Sequence, residues 1–253
     1  NDYATSDAAV DSEVMIVWGA DGLGGGQWVA AWETNENLNG TAGADKDIVF
    51  ATSANGESWS ATALLNTNGP SDSGSDQDVE LATDGGGNWV AVWQSHVNLN
   101  GTTGTEGDIL AATSSDNGST WTAPALLNTT GSSDGFGDID SDPEIATDGA
   151  GTWIAAWQSF YNLNGTAGTD LDILMAVSTD NGATWSDPQL LNNNGTSDSG
   201  PNTRDIAPQI ASNHSGEWIA VWHSETDLGA AADNDYDIFF AQSSNNGSSW
   251  SAP

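Results

Sequence analysis

Tryptophan recurs on a fixed schedule in this 253-residue chain, each recurrence falls in a short segment of strand length, and no segment keeps a 3.6-residue period. Together these observations predict an all-β fold, a β-propeller of four-stranded antiparallel blades. Trp28, Trp89, Trp153 and Trp218 are 61, 64 and 65 residues apart, and Trp32, Trp93, Trp157 and Trp222 follow them by four. Trp59, Trp121, Trp185 and Trp250 form a third series, so that only Trp18 of the 13 tryptophans lies outside the scheme. The predicted organisation is a single repeat domain over 1–253, with four repeats of about 64 residues at 13–71, 79–133, 143–197 and 207–253 and acidic loops between them. The last repeat stops at Ser251-Ala252-Pro253, and its blade is expected to be incomplete in this segment.

Within a repeat the first strand is of the type Glu144-Ile145-Ala146-Thr147, followed by a glycine-rich turn such as Asp148-Gly149-Ala150-Gly151. The second reads Trp89-Val90-Ala91-Val92-Trp93, where the two-residue period of a strand puts both indoles and the middle alanine on one face while the other face is also apolar. The third, Asp172 to Val177, is a nearly continuous apolar run, as in a strand covered on both sides. The fourth is expected over Trp185-Ser186-Asp187-Pro188-Gln189-Leu190-Leu191, whose proline suits an outer edge. Sheets apolar on both faces need one another as cover, which favours blades over separate β-sandwiches. Trp18, in the first strand of repeat one, is expected in the core or at an interface.

Between third and fourth strands the second and third repeats read Ser114-Ser115-Asp116-Asn117-Gly118-Ser119-Thr120-Trp121 and Ser178-Thr179-Asp180-Asn181-Gly182-Ala183-Thr184-Trp185. Repeat four has Asn245 before Gly247 and Trp250, and repeat one is a residue shorter around Gly56 and Trp59. Asp and Asn accept backbone N–H bonds in a tight turn, Gly takes positive φ, and Trp fills space between sheets. The pattern Ser-x-Asp-x-Gly-x-Thr-Trp resembles the Asp box, or BNR repeat, of sialidase-type propellers. The resemblance implies a structural fastener remote from any active site, so it speaks for fold rather than activity. It also implies a sialic acid carboxylate held by three arginines and a catalytic tyrosine paired with a glutamate. This chain has a single Arg, Arg204, no Arg-Ile-Pro motif, and only Tyr3, Tyr161 and Tyr236 as tyrosines. Sialidase activity is therefore not expected of this segment.

Asp and Glu number 36 against 2 Lys and Arg, a formal charge of −34, which excludes binding of nucleic acid through clustered cations. No apolar run approaches the roughly 20 residues of a membrane helix, so no membrane insertion is expected. There is no Cys to form disulfides or thiolate metal sites. Asp outnumbers Glu 27 to 9, and short carboxylates suit turns and calcium. On an extended chain alternate residues point the same way, so Asp45 with Asp47, Glu106 with Asp108, Asp170 with Asp172, and Asp235 with Asp237 could each offer two carboxylates to one calcium ion. A second acidic series precedes each first strand, including Asp72, Asp76 and Asp78, Asp134, Asp198 and Asp205, and is densest at Asp138, Asp140 and Asp142, the second choice for a metal. The competing reading is a solvated loop whose last Asp caps the strand.

These features predict a secreted or cell-surface, sialidase-like repeat module, stabilised by calcium and non-enzymatic. Its expected role is structural or adhesive, as in an extracellular fibre or surface layer, with self-association through the open blade edge or contact with other surface proteins and glycans. The alternative is part of a glycan-binding or glycoside-hydrolase propeller whose catalytic residues lie outside the segment.

Overall fold

Strand pairing follows the repeat. The computed structural model describes residues 9–38, 40, 42, 43, 45–99, 106–131, 137–163, 165–195, 203–226 and 235–253, and these form four antiparallel sheets whose strands neighbour one another in sequence order. Blade one contains β1 (Asp11–Ala20), β2 (Gly26–Thr34), β3 (Asp47–Ser53) and β4 (Ala63–Leu64). Blade two contains β5 (Asp76–Thr83), β6 (Trp89–Ser95), β7 (Asp108–Ser114) and β8 (Ala125–Leu126). Blade three contains β9 (Asp140–Thr147), β10 (Trp153–Ser159), β11 (Asp172–Ser178) and β12 (Gln189–Leu190), and blade four β13 (Asp205–Ser212), β14 (Trp218–Ser224) and β15 (Asp237–Ser243). A 3-10 turn spans Gly69–Ser71.

Two boundaries differ from the sequence expectation. The fourth strands pair over two residues, and Trp185 precedes β12 rather than opening it. The Ser186 amide bonds back to the Val177 carbonyl, and at Leu191 the chain turns inward to bond Ile173, so the ladder between is short. The first strands start earlier than expected, and Asp76, Asp140 and Asp205 open strands rather than ending loops.

Blades are joined through the two faces of their second strands. Trp89, Ala91 and Trp93 of β6 pack on Val29, Ala31, Ile48 and Phe50 of blade one. On the opposite face Val90, Val92, Ile109 and Ala111 receive Trp153, Ala155 and Trp157 of blade three. Ile154, Ala156, Ile173 and Met175 then receive Trp218, Ala220 and Trp222 of blade four. The Asp-box turn reinforces each junction. Asp116 accepts the Thr120 amide and hydroxyl at 2.9 and 2.6 Å, and Asp180 does the same with Thr184. In repeats one and four Asn55 and Asn245 accept the corresponding amides. Gly118, Gly182 and Gly247, all at positive φ, lie against Val29, Val90 and Ile154 of the preceding blade, where a Cβ would stand 2.4 to 2.6 Å from a methyl group. Trp121 meets Phe50 of the preceding blade edge-on at 6.1 Å. Trp59 has no preceding blade to cover it among the described residues and is 38% exposed. Trp18, expected in the core or at an interface, is 43% exposed on the face it shares with Trp28, because that face of blade one is uncovered.

A polar latch repeats at the three junctions. Asn66, just after β4, donates to Asp47 of its own blade at 2.8 Å and to Asp76 of the next at 2.5 Å, while its Oδ1 accepts the Ile48 amide. Trp93 Nε1 donates to the other oxygen of Asp76 at 3.0 Å. Asn128 joins Asp108 to Asp140, which accepts Trp157, and Asn192 joins Asp172 to Asp205, which accepts Trp222. All nine Asp and Asn side chains are 1% exposed or less. At each junction one amide thus bridges two buried carboxyl groups. Burial raises the Asp76 carboxyl to about 8, and removing the amide leaves buried carboxyl oxygens without that donor, a loss of about 1–3 kcal/mol. Asn128→Ala is expected to lower unfolding free energy by about 1–3 kcal/mol, read by urea titration at pH 7.

Candidate functional site

The four first strands line the centre of the assembly, and each begins with a β-bulge. Glu13, Asp78, Asp142 and Ala207 occupy the bulge with φ of 47°, 56°, 49° and 52°. In blades one and three the residue after the second tryptophan of the repeat props the bulge of the following blade. Glu33 Oε1 accepts the Asp78 amide at 2.8 Å and Gln158 Oε1 accepts the Ala207 amide at 2.9 Å. Glu33 is itself buried, fixed by Ser12 Oγ at 2.9 Å and by Lys46 Nζ at 2.6 Å.

The bulges and the residues two further along, Met15, Glu80, Glu144 and Gln209, surround an axial cavity of about 210 Å³. Burial raises Glu80 to about 8, with the negative fields of Glu144 and Asp78 adding to it. Burial likewise raises Glu144 to about 7 against the opposing hydrogen bond from Gln209. Asp78 is raised to about 6 by burial and then by Asp142, Glu33 and Glu13, with Lys46 opposing, and burial also raises Asp142. The arrangement thus holds a protonated Glu80 beside an ionised Asp78 at neutral pH, a pairing suited to acid–base chemistry.

Strand direction fixes the face. First and third strands run parallel, so the bulges and the acidic loops share one face and the Asp-box turns lie on the other. On the acidic face the paired carboxylates expected from alternation diverge. Asp47, Asp108 and Asp172 turn into the latches, as does Asp140 from the second series. Asp170 is 6% exposed and accepts the Thr203 hydroxyl at 2.7 Å, while Asp45, Glu106 and Asp138 are half-buried. Asp142 belongs to the axis, and Asp235 and Asp237 are exposed. Asp134 and Asp198 lie outside the described residues. Among the described residues no three His, Asp or Glu side chains converge closely enough to hold a metal by themselves.

Sequence reasoning did not single out Glu13, Glu80 and Glu144. Nor did it bring Tyr236 beside Glu225, whose carboxylate accepts the phenol and raises its pKa, with Arg204 opposing. This grouping sits on the same acidic face at the blade-four end, and Tyr236 is 48% exposed. A larger cavity, about 400 Å³, lies on the uncovered face of blade one between Val14, Ala30, Trp32 and Trp59. It occupies the position where blades two to four receive a neighbour's aliphatic face.

The axial carboxyls give stability a defined pH dependence. Their folded pKa values lie above the ordinary 3.8 and 4.5, so the folded state binds more protons, and stability is full below those ordinary values and falls as pH rises through 6 to 8. Melting temperature at fixed ionic strength is expected to drop between pH 5 and pH 8.5. Glu80→Gln, which removes the carboxyl raised furthest at the axis, is expected to flatten that drop.

The BNR repeat-like domain family matches residues 26–253. No curated protein matches the sequence. Among solved structures, a Hadza microbial sialidase superposes with a TM-score of 0.55 at 16% identity, covering 96% of this chain and 46% of that one. The GH93 α-L-arabinofuranosidase of Fusarium graminearum, in complex with arabinobiose, gives 0.54 at 15% identity over 92% of this chain and 62% of that one. The intramolecular trans-sialidase of Ruminococcus gnavus gives 0.58 at 12% identity over 96% and 70%. The chain spans 46% to 63% of the length of the first three structures it resembles. At such identities the likeness concerns fold, and it agrees with the blades described above. With nine-tenths of its length matched, the chain belongs to the BNR repeat-like domain family, in the form of sialidase-type β-propeller blades.

Proposed function

We propose that this chain is the larger part of a glycan-directed propeller that hydrolyses a glycosidic bond of a neutral sugar at the axis of its acidic face. The observation that carries this reading is the pairing of Glu80, raised to about 8, with Asp78, raised only to about 6, in one cavity. At neutral pH Glu80 keeps its proton and can give it to a leaving glycosidic oxygen, while ionised Asp78 can stabilise the cationic sugar or activate water. Glu144 keeps Glu80 protonated. A sugar carboxylate is disfavoured, because the cavity is lined by Glu13, Asp78, Glu80, Asp142 and Glu144 with no cationic side chain among its lining residues. The glycosidase neighbours support the general class, and their substrates remain theirs.

A panel of neutral fluorogenic glycosides and natural arabinans tests the reading. Turnover is expected to fall at least about 100-fold in Glu80→Gln and Asp78→Asn, and to stay within about twofold in Tyr236→Phe. Loss of turnover in Tyr236→Phe with Glu80→Gln unaffected would move the chemistry to the Tyr236, Glu225 and Arg204 grouping instead. No turnover of any glycan by the native protein would return the reading to a binding or structural module.

A second reading rests on the uncovered blade faces. Ile219, Ile238 and Phe240 of blade four are 40%, 65% and 52% exposed, although their counterparts in blades two and three are buried under the next blade. The partner that fits this face is a further blade of the same repeat, presenting indoles. Sedimentation of the native protein distinguishes a blade in the same polypeptide from one in a second copy, the latter being the basis of an extracellular, self-associating role.

A further inference from the structure

At the outer rim of the second blade junction a cavity of about 720 Å³ opens between Thr129, in the loop after β8, Tyr161, in the loop after β10, and Asp187 and Gln189 at the entry to β12. β12 is the outermost strand of blade three, so the cavity lies away from the axial site. Leu163 and Leu190, which pack on the core of the junction, supply its apolar lining together with the half-buried Tyr161. Asp187 bridges the two blades by accepting the Thr129 hydroxyl at 3.0 Å, which fixes its carboxylate at the cavity wall. Gln189 is exposed beside it.

Equivalent positions in the other blades separate what the fold needs from what it does not. Thr34, Ser95, Ser159 and Ser224 each end a second strand and accept the amide two residues on, so Tyr161 corresponds to Glu36, Val97 and Thr226. Gln189 pairs with Met175 as Ala125 does with Ala111 and Ala63 with Phe50. Asp187 and Gln189 therefore correspond to Ala123 and Ala125 in blade two and to Ala61 and Ala63 in blade one. Blade two is thus built with Val, Ala and Ala at the three places. In blade three a phenol ring, a carboxylate and a carboxamide replace them together and line one groove, a departure from the repeat that packing does not require.

A sugar ring carries an apolar C–H face and a rim of hydroxyls that both donate and accept. An aromatic ring covers the first, while a fixed carboxylate accepts from the second and a carboxamide both donates and accepts. No cationic side chain is among the lining residues, and the charge of Asp187 disfavours an acidic sugar. We propose that this groove binds a neutral polysaccharide chain, with Tyr161 against a sugar face and Asp187 and Gln189 on its hydroxyls. The site tethers the protein to a polymer whether or not the axial carboxyls hydrolyse one, so glycan retention and glycosidic cleavage are separable.

Native gel electrophoresis of the whole protein through soluble arabinan, xylan or galactan tests the assignment, since a chain of formal charge −34 migrates rapidly unless it is held. Glu80→Gln serves as the parent, so that no polymer is cleaved during the run. The parent is expected to be retarded by at least one of the three polymers. Tyr161→Val/Gln189→Ala gives blade three what blade two carries at those places and leaves the bond between Thr129 and Asp187 intact. It is expected to weaken retardation at least about tenfold while melting within a few degrees of the parent. Gln189→Ala alone, at an exposed position, carries the same comparison with a smaller loss. With Glu80 restored, the double substitution is expected to leave turnover of small fluorogenic glycosides unchanged, so absence of turnover strikes only the axial reading. Retardation by none of the three polymers, or equal retardation of parent and variants, would overturn the proposal.

Discussion

Each second strand is buried on both faces, and the two faces are unlike. One offers a pair of indoles four residues apart and the other offers Val and Ile, so a blade can satisfy only one neighbour with each. A strand with two unlike apolar faces has no stable existence as an isolated sheet, and the arrangement dictates a directional series in which indoles always meet the aliphatic face of the blade before. The box glycines follow from the same constraint. Gly118 sits where the turn of blade two touches Val29 of blade one, and any Cβ there would push the blades apart. Exposure of Trp18 and Trp59 at one end and of Ile238 and Phe240 at the other is the corollary of that directionality.

A chain with 36 acids and 2 bases cannot neutralise buried carboxylates by ion pairing, and three other devices do the task. In the turns the hydroxyls of Thr120 and Thr184, with backbone amides adding to them, stabilise the charged forms of Asp116 and Asp180, and backbone amides do so for Asp148, holding all three pKa values down against the opposing effect of burial. In the latches one Asn amide and one indole N–H are shared between two carboxylates. At the axis Glu80 has no such donor and burial raises it to about 8, as burial raises the latch's own Asp76, so both carboxyls keep their protons at pH 7. The functional proposal grows out of that last device, since a carboxyl kept protonated by its surroundings is a proton donor in waiting.

The blades were legible in the sequence because indole spacing survives every variation in loop length. The burial of Trp89, Trp93, Trp153 and Trp157 at 0% exposure follows from the two-residue period alone. Where the acids point was not legible. Alternation puts Asp45 and Asp47 on one side, yet Asp47 opens β3 and swings into the latch while Asp45 stays in the loop, because the strand begins between them. The axial carboxyls were hidden by the bulges. An extra residue in a strand reverses the facing of all that precede it, so Glu80 and Asp78 converge on the cavity only once the left-handed residue is known. Tyr236 and Glu225 are the two ends of the connection between β14 and β15, beside the paired Ser224 and Asp237, a proximity that appears only once the strand register is known.

Internal repetition supplies a criterion for separating scaffold from chemistry. The latch residues are the same at the three junctions: Asp47, Asn66, Asp76 and Trp93 have identical counterparts at each, as expected where every junction has the same packing problem. The axial positions face a geometry just as regular, with a bulge in every first strand, yet their side chains differ from blade to blade: Glu13, Asp78, Asp142 and Ala207 at the bulge, Met15, Glu80, Glu144 and Gln209 beyond it. Packing alone would be met by one residue type repeated four times. Acids concentrated in blades two and three, with a thioether and an amide opposite, make the cavity chemically lopsided, and an asymmetric cavity amid pseudosymmetric blades is what orienting a single asymmetric ligand requires.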